Sequence, residues 1–190
     1  MTADERPETF VSVDVETAGP NPGSYSMLAI GATIVGRPET GFYVELVPTH
    51  DAVVDSALAI GGLTMEYLAA KGVPSEAAML QFEQWLQREV PAGQRPIFVG
   101  FNAPFDWMFV SDYFWRYLGR NPFGHTAVDV KAYYMGMTGS SWASTSMRYL
   151  SPKYLGGRHL SHNALGDARD QGEIFGALLA EATSPRPAVD

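Results

Sequence analysis

The 190-residue sequence contains no cysteine. Without a thiol, the chain can form no disulfide, no thiolate metal site and no cysteine nucleophile. It also lacks an uninterrupted apolar run of about 18 residues, which a transmembrane helix needs. The first residues, MTADERPET, are polar and acidic, unlike the basic and then apolar start of a signal peptide. These absences predict a cytoplasmic protein that does not insert into a membrane.

Basic residues are also scarce. Lys and Arg number 13 against 21 acids, a formal net charge of −8, which argues against a protein that coats nucleic acid without selectivity. One segment differs, because between Asp112 and Asp167 the only acid is Asp129. The six basic residues of this segment are Arg116, Arg120, Lys131, Arg148, Lys153 and Arg158. Charge pattern alone leaves two interpretations open, a phosphate-binding surface or ordinary scatter of surface charge.

The remaining composition is sufficient for a folded domain. Apolar residues make up 46% of the chain and charged residues 18%, and the length is typical of one domain. We predict a single domain over residues 1–182. The last residues, TSPRPAVD, are polar and contain two prolines, which predicts a flexible tail over residues 183–190.

Apolar runs separated by turn residues predict an α/β fold. Strands are expected at 10–15, 27–35, 42–47, 96–99 and 127–130, and helices at 64–70, 75–90, 104–118 and 164–182. The first three strands are joined by short turns, which favours an antiparallel meander. Helices interleaved with short strands then predict a mixed sheet with helices packed on it.

Asp14 and Glu16 end the first strand, in the stretch FVSVDVET. Residues two apart on a strand point to the same face, roughly 6–7 Å apart along the strand. Two like charges near a core repel each other unless a cation lies between them. Hard divalent ions such as Mg²⁺ take oxygen ligands of this kind. The alternative is a solvated strand end with two ordinary surface acids.

Two further acids lie in apolar surroundings. Asp106, in GFNAPFDWMFV, falls in the first turn of a predicted helix, where interaction with the helix N-terminus is the simpler explanation. Asp167, in LSHNALGDARDQGEIF, shares the apolar stripe of the last helix with Ile174 and Leu178. His162 precedes Asp167 by five residues at the entry to that helix. A histidine there is either a helix cap or surface residue or, beside acids, a candidate general base.

Together these motifs resemble those of the DEDDh 3′–5′ exonucleases, the DnaQ-like group with a ribonuclease-H-like fold. The matching segments are VDVET, NAPFD and HNALGD, in the order that the family shows. They carry Asp14, Glu16, Asp106, His162 and Asp167. The other histidines, His50, His125 and His159, lie outside this pattern. The resemblance extends over about residues 10–180, with departures at Ala18 and Phe101, where many members have Thr and His.

The resemblance implies a ribonuclease-H-like mixed sheet and a metal-dependent 3′–5′ exonuclease. Such an enzyme hydrolyses phosphodiester bonds at the 3′ end of single-stranded RNA or DNA and releases nucleoside 5′-monophosphates. By the same resemblance, two Mg²⁺ or Mn²⁺ ions would be held by Asp14, Glu16 and Asp167. Asp14 would bridge the ions, Asp106 would assist through water, and His162 would activate the attacking water.

Candidate substrate-binding residues surround these motifs. The resemblance implies that Thr17 contacts the terminal sugar. Phe105, with Trp107, either stacks on terminal bases or packs in the core, and Asn102 either orients the site or caps the helix. The basic segment supplies Arg148 and Arg158 for phosphates.

Two other functions are compatible with the same residues: an inactive nucleic-acid-binding module and a phosphodiesterase that acts on small molecules. A preference between RNA and DNA depends on contacts to the 2′-hydroxyl, which the sequence does not predict. The oligomeric state stays open, with a homodimer as one alternative.

Overall fold

A computed structural model of the protein describes residues 6–55, 57, 62–158 and 161–183. The described residues form a five-stranded sheet with the strand order β3-β2-β1-β4-β5. The strands are β1 (Glu8–Thr17), β2 (Met27–Ile34), β3 (Arg37–Glu45), β4 (Arg95–Gly100) and β5 (Ala127–Asp129). The helices are α1 (Met65–Lys71), α2 (Ser75–Glu89), α3 (Ala103–Leu118), α4 (Val130–Thr138), α5 (Met147–Tyr154) and α6 (Ala164–Thr183), with a 3₁₀ helix, η1 (Trp142–Thr145).

The strand pairing confirms the predicted mixed sheet. β1 pairs with β2 and β2 with β3 in antiparallel fashion, whereas β1–β4 and β4–β5 are parallel. Every predicted strand and helix is present. β3 is displaced from its predicted range of 42–47, since it begins at Arg37 and ends at Glu45. The helices α4, η1 and α5 lie in a stretch for which the sequence predicted no element.

β1 is the central strand and separates two environments. Val11, Val13 and Val15 are buried in the main hydrophobic cluster with side chains from α2 and α3. Ser12, Asp14 and Glu16 alternate with these valines, so they point to the opposite face, which α6 covers. The valines and the acids of β1 therefore lie on opposite faces of the sheet, and Asp14 and Glu16 share one face as predicted.

Two glycines allow α6 to lie close against this face. Gly31 of β2 pairs with Asp14 of β1, and a Cβ atom at Gly31 would lie 2.1 Å from the backbone carbonyl carbon of Ala164. A Cβ at Gly172 of α6 would lie 3.3 Å from the Cβ of Ser12. The first turns of α6 consequently rest directly on the sheet beside Asp14.

Among the helices of the described residues, none is long and apolar enough to cross a bilayer. Residues 184–190, most of the predicted tail, lie outside the described residues, and so does His159. The predicted boundary of the domain stays a prediction.

Candidate active site

The site forms where β1 extends past the end of its neighbour β4. Pairing between these strands runs from Glu8 to Ser12 of β1, so the later residues of β1 have no strand on that side. The N–H of Val15 instead donates to Oδ1 of Asp106, at 3.1 Å. Asp106 lies in the first turn of α3 and is 4% exposed. A carboxylate from a helix thus takes the place of a missing strand partner.

Asp14, Glu16 and Asp167 come together at this point. One carboxylate oxygen from each lies within 4.8 Å of the others. Asp14 and Glu16 are half-buried, and Asp167 is buried. This spacing is suited to three oxygen ligands of one divalent cation. Asp106 is not a member of this three-residue group, although its carboxylate binds β1 between the two acids of the strand.

The acids are in an electrostatically unfavourable environment. Burial raises the pKa of Asp14 well above its ordinary value, and the carboxylates of Asp106, Glu16 and Asp167 raise it further. Burial, with the charge of Asp167, raises the pKa of Glu16 to about 7. Burial also raises the pKa of Asp106 to about 8, although the Val15 hydrogen bond opposes the shift. A bound cation would relieve this repulsion, so the donor set fits a metal.

Gln171 and Ser161 hold the acids in place, and the sequence analysis identified neither. Nε2 of Gln171 donates to Oδ1 of Asp14 at 2.5 Å, while Oε1 accepts from the N–H of Phe101 at 2.7 Å. The N–H and hydroxyl of Ser161 both donate to Oδ1 of Asp167, at 2.8 and 3.0 Å. Gln171 follows Asp167 by four residues on the same helix face, and that spacing is a signal from which it could have been found.

Asp129 is a structural residue of the site that the sequence analysis treated only as an isolated acid. Its carboxylate caps α4 by accepting from Ala132 N–H at 2.6 Å. The other oxygen accepts from Ala103 N–H, also at 2.6 Å. This second bond satisfies the first N–H of α3 and fixes the start of the helix that carries Asp106.

His162 lies at the entry to α6 with a positive φ of 53° and is exposed. The helix cap is the next residue, Asn163, whose Oδ1 accepts from Gly166 N–H at 3.1 Å. The interpretation of His162 as a cap is therefore wrong. Its imidazole makes no hydrogen bond within the part of the chain that the structure describes, so it is available to a water or a substrate.

The predicted substrate-binding residues have different surroundings. The hydroxyl of Thr17 donates to the carbonyl of Gly19 at 2.9 Å. Asn102 is exposed in a left-handed conformation and forms no side-chain cap, so the capping interpretation is wrong for this residue too. Phe105 and Trp107 are both partly buried against the main core, and stacking of either ring on terminal bases stays a prediction.

The basic segment divides into paired and unpaired residues. Arg116 pairs with Asp112, Arg120 with Glu83, and Lys153 with Glu181. Arg158 lies between two acids of α6, Asp170 and Glu173. Lys131 and Arg148 form no ion pair with the described residues; each lies over an aromatic ring instead.

Comparison with known proteins agrees with this geometry. The profile of the RNase T exonuclease family matches residues 11–175. The chain is 43% identical to the 3′–5′ DNA exonuclease Cap18 of Escherichia coli over 168 residues, which cover 88% of this chain and 90% of that protein.

Solved nucleases share the fold. The nuclease domain of 3′hExo, a DEDDh family member bound to rAMP, superimposes with a TM-score of 0.75 at 14% identity, covering 97% of this chain and 98% of that domain. Exonuclease I of Escherichia coli, in complex with a dT13 oligonucleotide, gives a TM-score of 0.65 at 21% identity, covering 92% of this chain and 41% of that one.

The fold and site therefore define a nuclease with a ribonuclease-H-like architecture. The chain belongs to the RNase T exonuclease family and is a 3′–5′ exonuclease. The family is metal-dependent, and this chain has the acidic cluster that such a metal requires. The two alternatives, an inactive binding module and a small-molecule phosphodiesterase, are not supported.

Proposed function

We propose that the protein removes nucleoside 5′-monophosphates one at a time from the 3′ end of single-stranded DNA, in a reaction that uses two divalent metal ions. The observation that carries the proposal is the meeting of Asp14, Glu16 and Asp167, each contributing an oxygen within 4.8 Å of the others. The raised pKa values of Asp14 and Glu16 are those of a donor set built for a cation rather than for an ion pair with Lys or Arg.

The acids have distinct roles in this proposal. Asp14, Glu16 and Asp167 would hold the ions. Asp106 would act at the edge of the group, through water. When bound, the ions would stabilise charge on the attacking and leaving oxygens of an in-line displacement.

His162 moves the proton. Its imidazole takes a proton from the water that attacks phosphorus, and the P–O3′ bond breaks as the new P–O bond forms. The departing strand retains a 3′-hydroxyl after protonation, and the product carries a 5′-phosphate. Neutral imidazole is required for this step, so the base acts in its unprotonated form.

DNA is the proposed substrate because Cap18, to which this chain is 43% identical over 168 residues, is a DNA exonuclease. The test is incubation with single-stranded DNA or RNA of the same sequence, labelled at the 5′ end, with Mg²⁺, Mn²⁺ or EDTA. We expect a ladder of products shortened from the 3′ end, faster on DNA and absent in EDTA. Faster cleavage of RNA would overturn the choice of substrate, and full activity in EDTA would overturn the metal.

Two variants test the roles in the same assay. Asp14→Asn and His162→Ala should each lower turnover by about 10²–10⁴-fold. Metal affinity, measured by calorimetry, should fall only in Asp14→Asn. The matched control is His125→Ala, because His125 is exposed and stacks on Trp115 away from the acids; its rate should equal that of wild type. Full activity in His162→Ala would contradict its role as the base.

A further inference from the structure

Lys131 forms a cluster with two aromatic rings on the surface beside the active site. Its Nζ lies 4.1 Å from the ring centroid of Trp142 and 5.9 Å from that of Phe101. Trp142 is 49% exposed, although burial of a ring of this size is strongly favoured. We call these three residues the Lys131 cluster.

The cluster is connected directly to the acids. The backbone N–H of Phe101 donates to Gln171, whose amide in turn donates to Asp14. Phe101 follows β4, and Lys131 follows β5 by two residues. Because β1, β4 and β5 are parallel neighbours, their carboxyl ends lie along one edge of the sheet, with adjacent strands about 4.8 Å apart. The edge therefore runs from Asp14 across Phe101 to Lys131.

Charge distinguishes this cluster from the rest of the basic segment. Four of the six basic residues in the segment pair with acids, whereas Lys131 has no acidic partner among the described residues. The chain as a whole carries a net charge of −8. Trp142 is exposed, whereas Phe101 is partly buried. An unpaired ammonium group next to an exposed aromatic ring is the combination with which proteins bind single-stranded nucleic acid, by phosphate contact and base stacking.

We infer that the Lys131 cluster binds the substrate strand on the 5′ side of the scissile bond. The strand leaves the acids, passes over the ends of β4 and β5, and stacks a base on Trp142 while Lys131 contacts a phosphate. This inference rests on the proposed function. It predicts that affinity increases with substrate length until the strand reaches the cluster.

The experiment compares a dinucleotide with a single strand of about 12 nucleotides, a length within the site sizes of single-strand-binding proteins. Turnover and KM are measured for both, and binding of the longer strand is measured at several salt concentrations. Trp142→Ala should raise the KM of the longer strand by about 5- to 100-fold and leave the dinucleotide unchanged. Trp142→Phe, which keeps a stacking ring, should restore most of the loss.

Lys131→Gln should weaken binding of the longer strand and reduce its salt slope by about 0.7, the contribution of one phosphate contact on a single strand. Two matched controls are available. Trp115→Ala removes a tryptophan that is 48% exposed, nearly the same as Trp142, from the C-terminal part of α3. Lys153→Gln removes a lysine of the same basic segment that already pairs with Glu181. Neither should change KM or the salt slope.

The outcomes separate this inference from the proposed function. If wild type cleaves neither substrate, the proposed function fails. If wild type cleaves both and the Trp142 and Lys131 variants match their controls, the cluster only stabilises the fold and the inference is wrong. Loss of dinucleotide cleavage in Trp142→Ala and Lys131→Gln alike would also overturn it, because it would show an effect on the catalytic centre rather than on the bound strand.

Discussion

At the scale of single residues, the site depends on side chains that bind the acids as much as on the acids themselves. Gln171 is 2% exposed and links Asp14 to the backbone of Phe101. Its amide can satisfy both partners at once, because one end donates and the other accepts. This hydrogen bond lowers the pKa of Asp14, against the effects of burial and neighbouring charge.

We predict that Gln171→Leu lowers metal affinity by about 10- to 100-fold, the effect typical of residues that orient metal ligands. The substitution leaves Asp14 without its donor and the Phe101 N–H without its acceptor. Calorimetric titration with Mn²⁺ measures the affinity. Gln171→Glu keeps an acceptor for the Phe101 N–H but places a further negative charge beside Asp14. It therefore distinguishes the effect of the hydrogen bond to Asp14 from that of the hydrogen bond to Phe101. An affinity unchanged in Gln171→Leu would show that Asp14 is oriented without this amide.

Sequence reasoning identified the acids but missed their supports, for a physical reason. Asp14 and Glu16 stand out because charge is unusual at the end of an apolar strand. Gln171, Ser161 and Asp129 are ordinary polar residues whose function depends on partners that folding brings together. Gln171 bonds to Asp14, which is 157 residues away in sequence. That contact can be inferred only once the packing of α6 against β1 is known.

At the scale of secondary-structure elements, the contact between α6 and the sheet decides whether the acids meet. Strands and helices with a clear apolar period were predicted with small errors at their ends. The α4–η1–α5 stretch was missed because its helices are short. Its apolar residues are interrupted by Gly136 and Gly139, and Pro152 lies inside α5. Local propensity is weak there, and packing against the second hydrophobic cluster, which includes Leu150 and Leu155, stabilises these helices.

Gly31→Ala should destabilise the protein by about 1–3 kcal/mol or more, the range of overpacked sites. The added methyl group would lie 2.1 Å from the backbone of Ala164, and backbone cannot rotate away as a side chain can. α6 must shift, so Asp167 moves relative to Asp14 and activity falls as well. Chemical denaturation and turnover measure the two effects.

Gly136→Ala is the matched control for this substitution. Gly136 lies within α4, and a Cβ there would meet no atom within 4 Å. In an open helical position, Ala is favoured over Gly by roughly 0.5–1 kcal/mol. We therefore expect a small gain in stability and no change in rate. Equal behaviour of the two variants would show that close approach at Gly31 does not position α6.

At the scale of the whole molecule, the acidic site links stability to pH and metal. Folding raises the pKa of Glu16 from 4.5 to about 7 and that of Asp106 from 3.8 to about 8. At a pH between the unfolded and the folded pKa of each group, the folded chain retains a proton that the unfolded chain has released. The unfolded state then binds fewer protons, so the stability of the metal-free protein decreases as pH rises through this window.

The prediction is a fall in melting temperature between about pH 5 and about pH 8 in EDTA, with reversal or reduction of that fall in Mg²⁺. Each 1 kcal/mol corresponds to about 2–4 °C for a chain of this length, and metal binding to the folded state adds stability by mass action. Thermal unfolding at both pH values measures the effect. The variant with Asp14→Asn and Glu16→Gln should lose the Mg²⁺ response. A Mg²⁺ response that is equally large in this variant would mean that the ion binds elsewhere.

The order of the elements along the chain, in which α6 follows β1 and α3, also affects the protein during its synthesis. Asp14, Glu16 and Asp106 leave the ribosome early, but they meet Asp167 only after α6 has emerged and packed against β2. Long-range contacts of this kind form late because closing a long loop costs conformational entropy. A growing chain therefore carries an incomplete acid cluster until α6 has emerged. The nuclease site is assembled only after the last of its acids, Asp167, has been synthesised.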